Sequence, residues 1–261
     1  MGKLARPTEV MYHTGLSRKM LEGARFALLP GDPGRVESIA LGLGQGRPLA
    51  VHREYTSYLV ELKGEPILVC STGMGGPSVA ICLEELARIG ITNFIRVGTT
   101  GSIQENIELG DLIIAKGAVR LEGTSTHYAP INFPAVADLS LTNALVAAAN
   151  KKKFKYHVGI CISSDTFWPG QERYDSFTGY VPRAFQGSLR EWQQLGATNY
   201  EMEAATLFVV AQSFGLAAAC ICVAVAKRTT SEKVASPAVY KEALPKMIET
   251  VQEALLLLIG K

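Results

Sequence analysis

The sequence Phe94-Ile95-Arg96-Val97-Gly98-Thr99-Thr100-Gly101 places an arginine inside a short apolar run that leads into glycines and threonines. Consecutive Phe, Ile and Val residues are typical of a strand buried on both faces, and such strands belong to mostly parallel α/β sheets. An unpaired guanidinium group is costly to bury, so Arg96 needs either a carboxylate of the protein or an anionic ligand. The stretch therefore predicts an α/β fold with a charged site inside its sheet.

The small residues from Gly98 to Gly101 favour the anionic ligand. They predict a turn at the end of the strand, where backbone amides and two hydroxyl groups can approach a ligand closely. Ligands of open α/β sheets bind outside the carboxyl ends of the strands. The sequence thus predicts an oxyanion site at this end of the sheet, with a structural ion pair of Arg96 as the alternative.

The composition indicates one domain that spans residues 1–261. Hydrophobic residues make up 48% of the chain, and 26 basic and 24 acidic residues leave a net charge of +2, which argues against a nucleic-acid surface. The longest apolar run, 216–226, is too short to span a bilayer, and the N-terminus lacks the order of a signal peptide. Five cysteines without metal-ligand spacing indicate core residues in a reducing compartment. We therefore expect a soluble, cytoplasmic protein.

Hydrophobic periodicity predicts strands that alternate with helices. The predicted strands are 25–29, 55–62, 67–71, 94–97, 111–118, 157–163 and 216–226, and the predicted helices are 78–89, 141–151, 204–214 and 237–258. A further helix is expected to begin at Arg35.

The segment Pro30-Gly31-Asp32-Pro33-Gly34-Arg35 follows the first predicted strand and has the composition of an anion-binding turn. Gly31 permits close backbone approach, and Arg35 is expected where amide groups and the helix dipole also favour negative charge. A plain strand-to-helix turn is the alternative. A second glycine-rich segment, 73–78, has the order G-x-G-G-P-S rather than G-x-G-x-x-G, which argues against dinucleotide binding.

Two later segments have the chemistry of a nucleoside site. In the loop 164–173, Phe167 offers an apolar face for a heterocycle, while Gln171 and Arg173 can hydrogen-bond its carbonyl and imide edge. The segment 199–203 contains Glu201, Met202 and Glu203, in which a carboxylate can accept from paired sugar hydroxyls and the thioether can pack on the ring. A surface loop and ordinary helix-dipole partners are the respective alternatives.

These motifs together resemble the nucleoside phosphorylase superfamily, specifically its bacterial-type uridine phosphorylases, over nearly the whole chain. The resemblance rests on the segments 30–35, 52–54, 70–73, 96–101, 163–173 and 199–203. It implies a three-layer α/β/α fold with a mixed central sheet partly closed into a barrel, assembled as a hexamer that is a trimer of dimers. It also implies reversible phosphorolysis of uridine to uracil and ribose 1-phosphate, in pyrimidine nucleoside salvage, with phosphate as co-substrate and no cofactor. Deoxyuridine and thymidine are further candidate substrates.

The resemblance also assigns roles to individual residues. Phosphate would be bound by Gly31, Arg35, Arg96 and Thr99, together with Arg53 from a neighbouring subunit. Ribose would be bound by Met202, Glu203 and Thr99, together with His13 from a neighbouring subunit. Uracil would stack near Phe167 and hydrogen-bond with Gln171 and Arg173. The residues expected to act in catalysis are Arg96, Gln171, Arg173, Glu203 and Arg228.

A monovalent cation site is implied at the boundary between two subunits. In the family, potassium is held there by a glutamate, a serine and a backbone carbonyl, which correspond to Glu54, Ser78 and Met74 in this sequence. Hard oxygen ligands suit an alkali cation. The alternative is that Glu54 pairs with Arg53 and orients it for phosphate.

The segment after the last predicted strand separates this sequence from purine-specific relatives. Those relatives place an aspartate there, whereas Lys227-Arg228-Thr229-Thr230 contains no carboxylate. Lys227 replaces the asparagine typical of the bacterial enzymes, and Trp168 replaces a tyrosine. Three alternatives remain: a purine phosphorylase, a nucleosidase that activates water through Glu201 or Glu203, and a nucleoside-binding protein without catalysis.

Overall fold

A computed structural model describes residues 2–229 and 232–260 of the chain. Its strands are β1 Phe26–Leu29, β2 Gly46–His52, β3 Tyr55–Leu62, β4 Glu65–Cys70, β5 Asn93–Ser102, β6 Leu112–Leu121, β7 Ala135–Val136, β8 Tyr156–Ser164, β9 Asn199–Glu201, β10 Ala217–Arg228 and β11 Glu232–Val234. Its α-helices are α1 Val36–Leu43, α2 Gly76–Arg88, α3 Leu139–Lys152, α4 Ser188–Gln194, α5 Ala204–Ser213 and α6 Pro237–Ile259.

The described strands form one mixed sheet that closes on itself in its middle. The order is β11-β10-β6-β8-β9-β5-β1-β4-β3-β2, with β7 beside β6, and β10 pairs a second time with β5. This second pairing closes β5, β10, β6, β8 and β9 into a five-stranded barrel. The strands β4, β1, β5 and β10 run parallel, whereas β2, β3 and β4 form an antiparallel meander. The predicted mixed sheet with a partial barrel is confirmed.

Helices cover both faces of the sheet. On one face α2 and α5 pack against it through side chains such as Leu83 and Phe208. On the other face α1, α3 and α6 contribute Val36, Leu145 and Val251 to a second core. The three-layer α/β/α prediction is therefore also confirmed. Among the described residues, no helix is both long and apolar enough to cross a bilayer.

The central strand differs from its prediction in one respect. The predicted turn at 98–101 is wrong, because β5 continues through it to Ser102 and pairs with β10 along this length. The glycines serve another purpose. A methyl group at Gly98 would lie 3.0 Å from Arg96 Cζ and 3.0 Å from Cys222 Sγ, so the glycine gives the Arg96 side chain room to lie along the strand.

Most other predicted elements lie within a few residues of their observed bounds. Five described elements have no predicted counterpart: β2, β7, β9, β11 and α4. The strand β2 was not predicted, because it is an exposed edge strand that contains Pro48 and lacks apolar alternation. Arg35 ends a 3-10 turn, Pro33–Arg35, and is the N-cap of α1, so it lies at the start of that helix as predicted.

Candidate active site

Arg96 lies at the centre of a buried charged cluster near the carboxyl end of the sheet. Its Nε donates to Glu201 Oε2 at 3.0 Å, and its Nη2 lies 2.5 Å from Glu203 Oε2. Burial alone would lower the pKa of Arg96, but the Glu203 and Glu201 carboxylates raise it well above its ordinary value. The structural ion pair of Arg96 therefore exists. It uses Nε and Nη2 and leaves the third guanidinium nitrogen, Nη1, outside the pair.

Arg35 and Arg96 converge on the space above Gly31. A methyl group added at Gly31 would lie 3.8 Å from Arg35 Nη2, 4.0 Å from Arg96 Nη1 and 3.2 Å from the Gly73 carbonyl oxygen. Arg35 Nη1 is buried and has no hydrogen-bond partner among the described residues, and its nearest carboxylate, Asp32, is 3.8 Å from Nε. Two cations that face one gap, one of them with an unpartnered nitrogen, form an anion-binding arrangement.

Glu201 anchors Arg96 through a set of buried hydrogen bonds. Its carboxylate accepts from Arg96 Nε, from the Ser163 hydroxyl and from the backbone N–H groups of Glu203 and Ala204, and its side chain is fully buried. Burial raises the pKa of Glu201, while Arg96 and the other donors favour its charged form. These four donors fill the roughly four acceptor sites of a carboxylate, so Glu201 is poorly placed to activate a water molecule or bind a sugar hydroxyl.

Glu203 lies at the start of α5 and closes the cluster on the side of the glycine loop. Its Oε1 accepts from the Gly75 N–H at 2.7 Å, and its Oε2 pairs with Arg96. Met202 is half-buried beside it. Thr99 is half-buried on β5, and no hydrogen bond joins its hydroxyl to the described residues, so its role stays a prediction.

The loop that follows β8 brings an aromatic ring and a guanidinium group together. Arg173 Cζ lies 4.2 Å from the centroid of the Phe167 ring, which is half exposed, and Arg173 Nη1 pairs with Glu232. Arg173 is buried, and its Nε has no partner among the described residues. A ring face and a free buried donor at one place can hold a heterocycle that carries a carbonyl group.

Arg228 supports this loop from the end of β10. Its Nη1 donates to the Gln171 carbonyl at 2.9 Å, and its Nη2 donates to the Glu172 carbonyl at 3.4 Å. Burial and the neighbouring Arg173 lower the pKa of Arg228. Gln171 itself is buried. Arg228 thus positions the backbone that carries Gln171 and Arg173.

Glu232 brings a carboxylate to the base loop from just beyond the segment 227–230, which itself contains none. Of that segment, Thr230 lies outside the described residues. Two positions further on, Glu232 Oε2 pairs with Arg173 and lies 3.7 Å from Arg228 Nε. The absence of a carboxylate from residues 227–230 therefore does not by itself separate this site from purine-specific ones.

His13 and Arg53 both lie against the ring of Tyr12. The Tyr12 ring meets the His13 ring edge-on at 4.9 Å, and Arg53 Cζ lies 5.5 Å from the centroid of the Tyr12 ring. His52 Nδ1 bonds to the His13 carbonyl at 2.7 Å. Arg53 is exposed in the turn between β2 and β3, with a φ of 55°. Among the described residues, no hydrogen bond or ion pair joins His13 or Arg53 to the phosphate and base groups of their own chain.

Comparison with known proteins agrees with this geometry. A family model described as "Phosphorylase superfamily" matches residues 25–259. A uridine phosphorylase of Klebsiella aerogenes is 51% identical over 222 residues, which cover 85% of this chain and 88% of the relative. A uridine phosphorylase of Haemophilus influenzae is 46% identical over 241 residues, which cover 92% of this chain and 95% of the relative.

The chain belongs to the phosphorylase superfamily. This family membership extends to a guanosine phosphorylase of Halorubrum lacusprofundi, which is 38% identical over 197 residues and 76% of each chain. Relatives with purine and with pyrimidine names therefore both match this chain.

The residues implied as a cation site also lie together in this phosphorylase. Ser78 Oγ donates to the Met74 carbonyl at 3.2 Å, and a methyl group at Gly73 would lie 2.9 Å from Glu54 Cγ and 3.4 Å from Ser78 Oγ. A carboxylate, a hydroxyl and a carbonyl oxygen are suitable ligands for an alkali cation. The alternative, an ion pair with Arg53, does not form, because Arg53 lies over Tyr12 instead.

Lys227 turns away from the site of this phosphorylase. Its Nζ donates to the Glu105 carbonyl and to Glu108 Oε1, each at 2.7 Å, in the connection between β5 and β6. Arg228, the next residue of the strand, makes its contacts on the base loop. Lys227 therefore does not compete with Arg228 for the carbonyls of the base loop.

Three acidic residues of the site region were missed or misjudged from the sequence. The sequence around Glu201 suggests sugar binding or water activation, and no local motif marks Glu232 or Glu85. Each acts on a partner far along the chain: Arg96, Arg173 and His13 respectively. The sequence indicates that a buried arginine needs a carboxylate. It does not indicate which carboxylate of the chain is the partner.

Proposed function

We propose that this chain catalyses the reversible phosphorolysis of uridine, in which phosphate displaces uracil and ribose 1-phosphate forms. The observation that carries the proposal is the convergence of Arg35 and Arg96 on the gap above Gly31. A hydrolytic enzyme has no need of two guanidinium groups at one gap, whereas a phosphate co-substrate would satisfy them. The names of the uridine phosphorylase relatives support the same assignment.

Charge development in the reaction explains the layout of the site. Cleavage of the glycosidic bond builds positive charge on the ribose ring and negative charge on the departing base. Phosphate held by Arg35 and Arg96, with the Thr99 hydroxyl and Arg53 of a second copy, acts as nucleophile and as counter-charge to the ribose. The ion pairs of Arg96 with Glu201 and Glu203 hold its guanidinium group in place before phosphate arrives.

On the base side, uracil leaves as an anion whose charge is spread over two carbonyl groups and the ring. Arg173 and Gln171 stabilise this charge by donating to it, while Phe167 stacks on the ring. The unpartnered Arg173 Nε supplies a donor that costs no bond within the protein. Arg228 acts indirectly by fixing the carbonyls of Gln171 and Glu172.

The ribose and the assembly complete the proposal. Glu203 and Met202 bind the sugar, with Thr99, and His13 reaches it from a second copy. Among the described residues, His13 and Arg53 make no hydrogen bond or ion pair with Arg35, Arg96 or Glu203 of their own chain, which supports a shared site and hence a homo-oligomer at least as large as a dimer. A hexamer built of three dimers is the assembly that the family resemblance favours.

A potassium ion between the two copies is part of the same proposal, with Glu54, Ser78 and the Met74 carbonyl as its ligands. A cation that joins two subunits stabilises the assembly by mass action. The melting temperature should therefore rise with potassium at constant ionic strength, and Glu54→Gln should remove the response. An equal melting temperature in potassium and in a bulky organic cation would exclude the site.

The substrate is tested by base release from uridine, deoxyuridine, thymidine and inosine, each with and without phosphate. We expect phosphate-dependent release of uracil from uridine and little release of hypoxanthine from inosine. Faster cleavage of inosine would favour purine phosphorolysis, the second candidate, which the guanosine phosphorylase relative and the Glu232 carboxylate support. Equal rates with and without phosphate would indicate a nucleosidase, and no cleavage would leave only nucleoside binding.

A further inference from the structure

The buried carboxylate of Glu85, on α2, accepts hydrogen bonds from the segment that carries His13. Glu85 Oε1 accepts from the His13 backbone N–H at 2.9 Å and bonds to the His13 ring at Nδ1 at 2.7 Å. Its Oε2 accepts from the Thr14 N–H at 2.7 Å. Glu85 is only 7% exposed, whereas about a third of the His13 side chain, 34%, stays exposed.

This contact determines which nitrogen of His13 is available. A carboxylate can only accept, so the hydrogen of a neutral imidazole must sit on Nδ1, where it is donated to Glu85. The lone pair then lies on Nε2, which is free to accept from a hydroxyl group. Burial would raise the pKa of Glu85, but the His13 and Thr14 amides outweigh it and lower the pKa, which keeps the carboxylate charged.

The same helix also supports the ribose site of its own chain. The Gly75 N–H, just before the first turn of α2, donates to Glu203, and Glu85 lies near the other end of the helix. The helix α2 thus supports two groups. It holds Glu203, which binds sugar in the site of its own chain, and it holds the His13 ring, which enters the site of a second copy. A rigid support reduces the cost of ordering a side chain when substrate binds.

We propose that Glu85 is a positioning residue for ribose binding, which fixes the tautomer and orientation of His13 so that Nε2 meets a sugar hydroxyl in the site of a second copy. The proposal rests on the proposed function, because it takes ribose as the group that His13 meets. Glu85 does not touch the substrate. The competing explanation is that Glu85 only anchors the N-terminal segment through the two backbone amides.

The test uses the full-length enzyme and the variant Glu85→Gln. The amide group of glutamine can donate to Nδ1, which would reverse the tautomer and leave a hydrogen on Nε2. We expect KM for uridine to rise about tenfold, the effect of losing roughly one good hydrogen bond, with a change below about twofold in KM for phosphate. The matched control is Glu84→Gln, because Glu84 is the adjacent carboxylate on α2 and faces Tyr128 instead. The control should behave as wild type.

A double-mutant cycle with His13→Ala separates positioning from anchoring. If Glu85 acts through His13, Glu85→Gln should add less than about twofold to KM for uridine once His13 is alanine. Independent effects, a wild-type KM in folded Glu85→Gln, or a wild-type KM in His13→Ala would each overturn the proposal. If Glu85→Gln does not fold, Glu85→Asp replaces it in the cycle with a smaller expected rise of about threefold.

The phosphate requirement is measured first on the wild-type enzyme. A failure of the Glu85 proposal can then be told apart from a failure of the proposed phosphorolysis. Uridine cleavage that needs phosphate, together with an additive cycle, would overturn only the role of Glu85. Cleavage that ignores phosphate would overturn phosphorolysis while the cycle could still be measured on KM for uridine.

Discussion

Gly31 illustrates how one missing side chain creates a site. The Cβ of Gly31→Ala would stand in the gap between Arg35 and Arg96, 3.2 Å from the Gly73 carbonyl oxygen. We expect KM for phosphate to rise about tenfold, with a much smaller change in KM for uridine, because the methyl group takes space from the anion.

Gly34→Ala is the matched control in the same turn, since a methyl group there would meet only the Asp32 side chain, at 3.2 Å. Steady-state kinetics with phosphate as the varied substrate measures both variants. An unchanged KM for phosphate in folded Gly31→Ala would mean that phosphate binds elsewhere.

Asp111 lies outside the site and illustrates how a charged residue links stability to pH. Its Oδ2 lies 2.8 Å from Lys155 Nζ and 2.9 Å from His157 Nε2, and the Glu108 N–H donates to it at 3.0 Å. Burial acts in the opposite direction, but these donors lower the pKa of Asp111 below its ordinary value. Its stabilising effect is therefore complete above about pH 3.9, the ordinary value, and is lost as the pH falls through the lower folded value.

The variant Asp111→Asn tests this linkage through melting temperatures between about pH 3 and 7. Wild type should lose more melting temperature on acidification below about pH 4 than the variant, since asparagine has no proton to gain. Parallel curves for the two proteins would show that Asp111 has the same pKa folded and unfolded.

At the level of elements, β10 connects two parts of the molecule through adjacent residues. Lys227 binds the connection between β5 and β6, while Arg228 holds the base loop. We expect Lys227→Asn to lower the melting temperature by about 2–4 °C, because asparagine is too short to make both bonds. KM for uridine should stay within about twofold of wild type. Thermal unfolding and kinetics on one preparation check this, and a large KM change without a stability change would place Lys227 in the site.

The core elements were predictable because their patterns are local. Runs such as 94–97 and the stripe of α2 are buried on the faces that their apolar spacing indicates. The prediction of a turn at 98–101 was wrong for a physical reason. The glycines make room for the Arg96 side chain and do not change the direction of the strand. The edge strand β2 could not be predicted, because an exposed edge strand needs no apolar pattern.

The candidate site was predictable only in part. Arg35 and Arg96 could be anticipated, because each follows or lies in an apolar strand and a buried cation needs an anion. The carboxylates that orient the site, Glu201, Glu85 and Glu232, could not be assigned, because their partners are fixed by the closure of the barrel and by the path of α2. Such pairings depend on tertiary contacts that no local spacing records.

At the scale of the whole molecule, the lack of hydrogen bonds or ion pairs between His13 or Arg53 and the other site residues described in the same chain predicts a shared site. Arg53→Ala and Arg96→Ala should each be inactive alone. In a mixed dimer, one site combines the intact Arg96 of one chain with the intact Arg53 of the other. After random exchange of subunits, about a quarter of the sites should be active. No recovery, when labelled subunits demonstrably exchange, would contradict a shared site.

Phosphorolysis, the central claim, is tested most directly by the stoichiometry of phosphate and base. Uridine is incubated with the enzyme and limiting phosphate, uracil is followed by absorbance, and the phosphorus species are followed by ³¹P NMR. The account predicts that each uracil released consumes one phosphate and yields one ribose 1-phosphate, with no release in phosphate-free buffer. Uracil release that exceeds the phosphate consumed, with free ribose as the product, would contradict it.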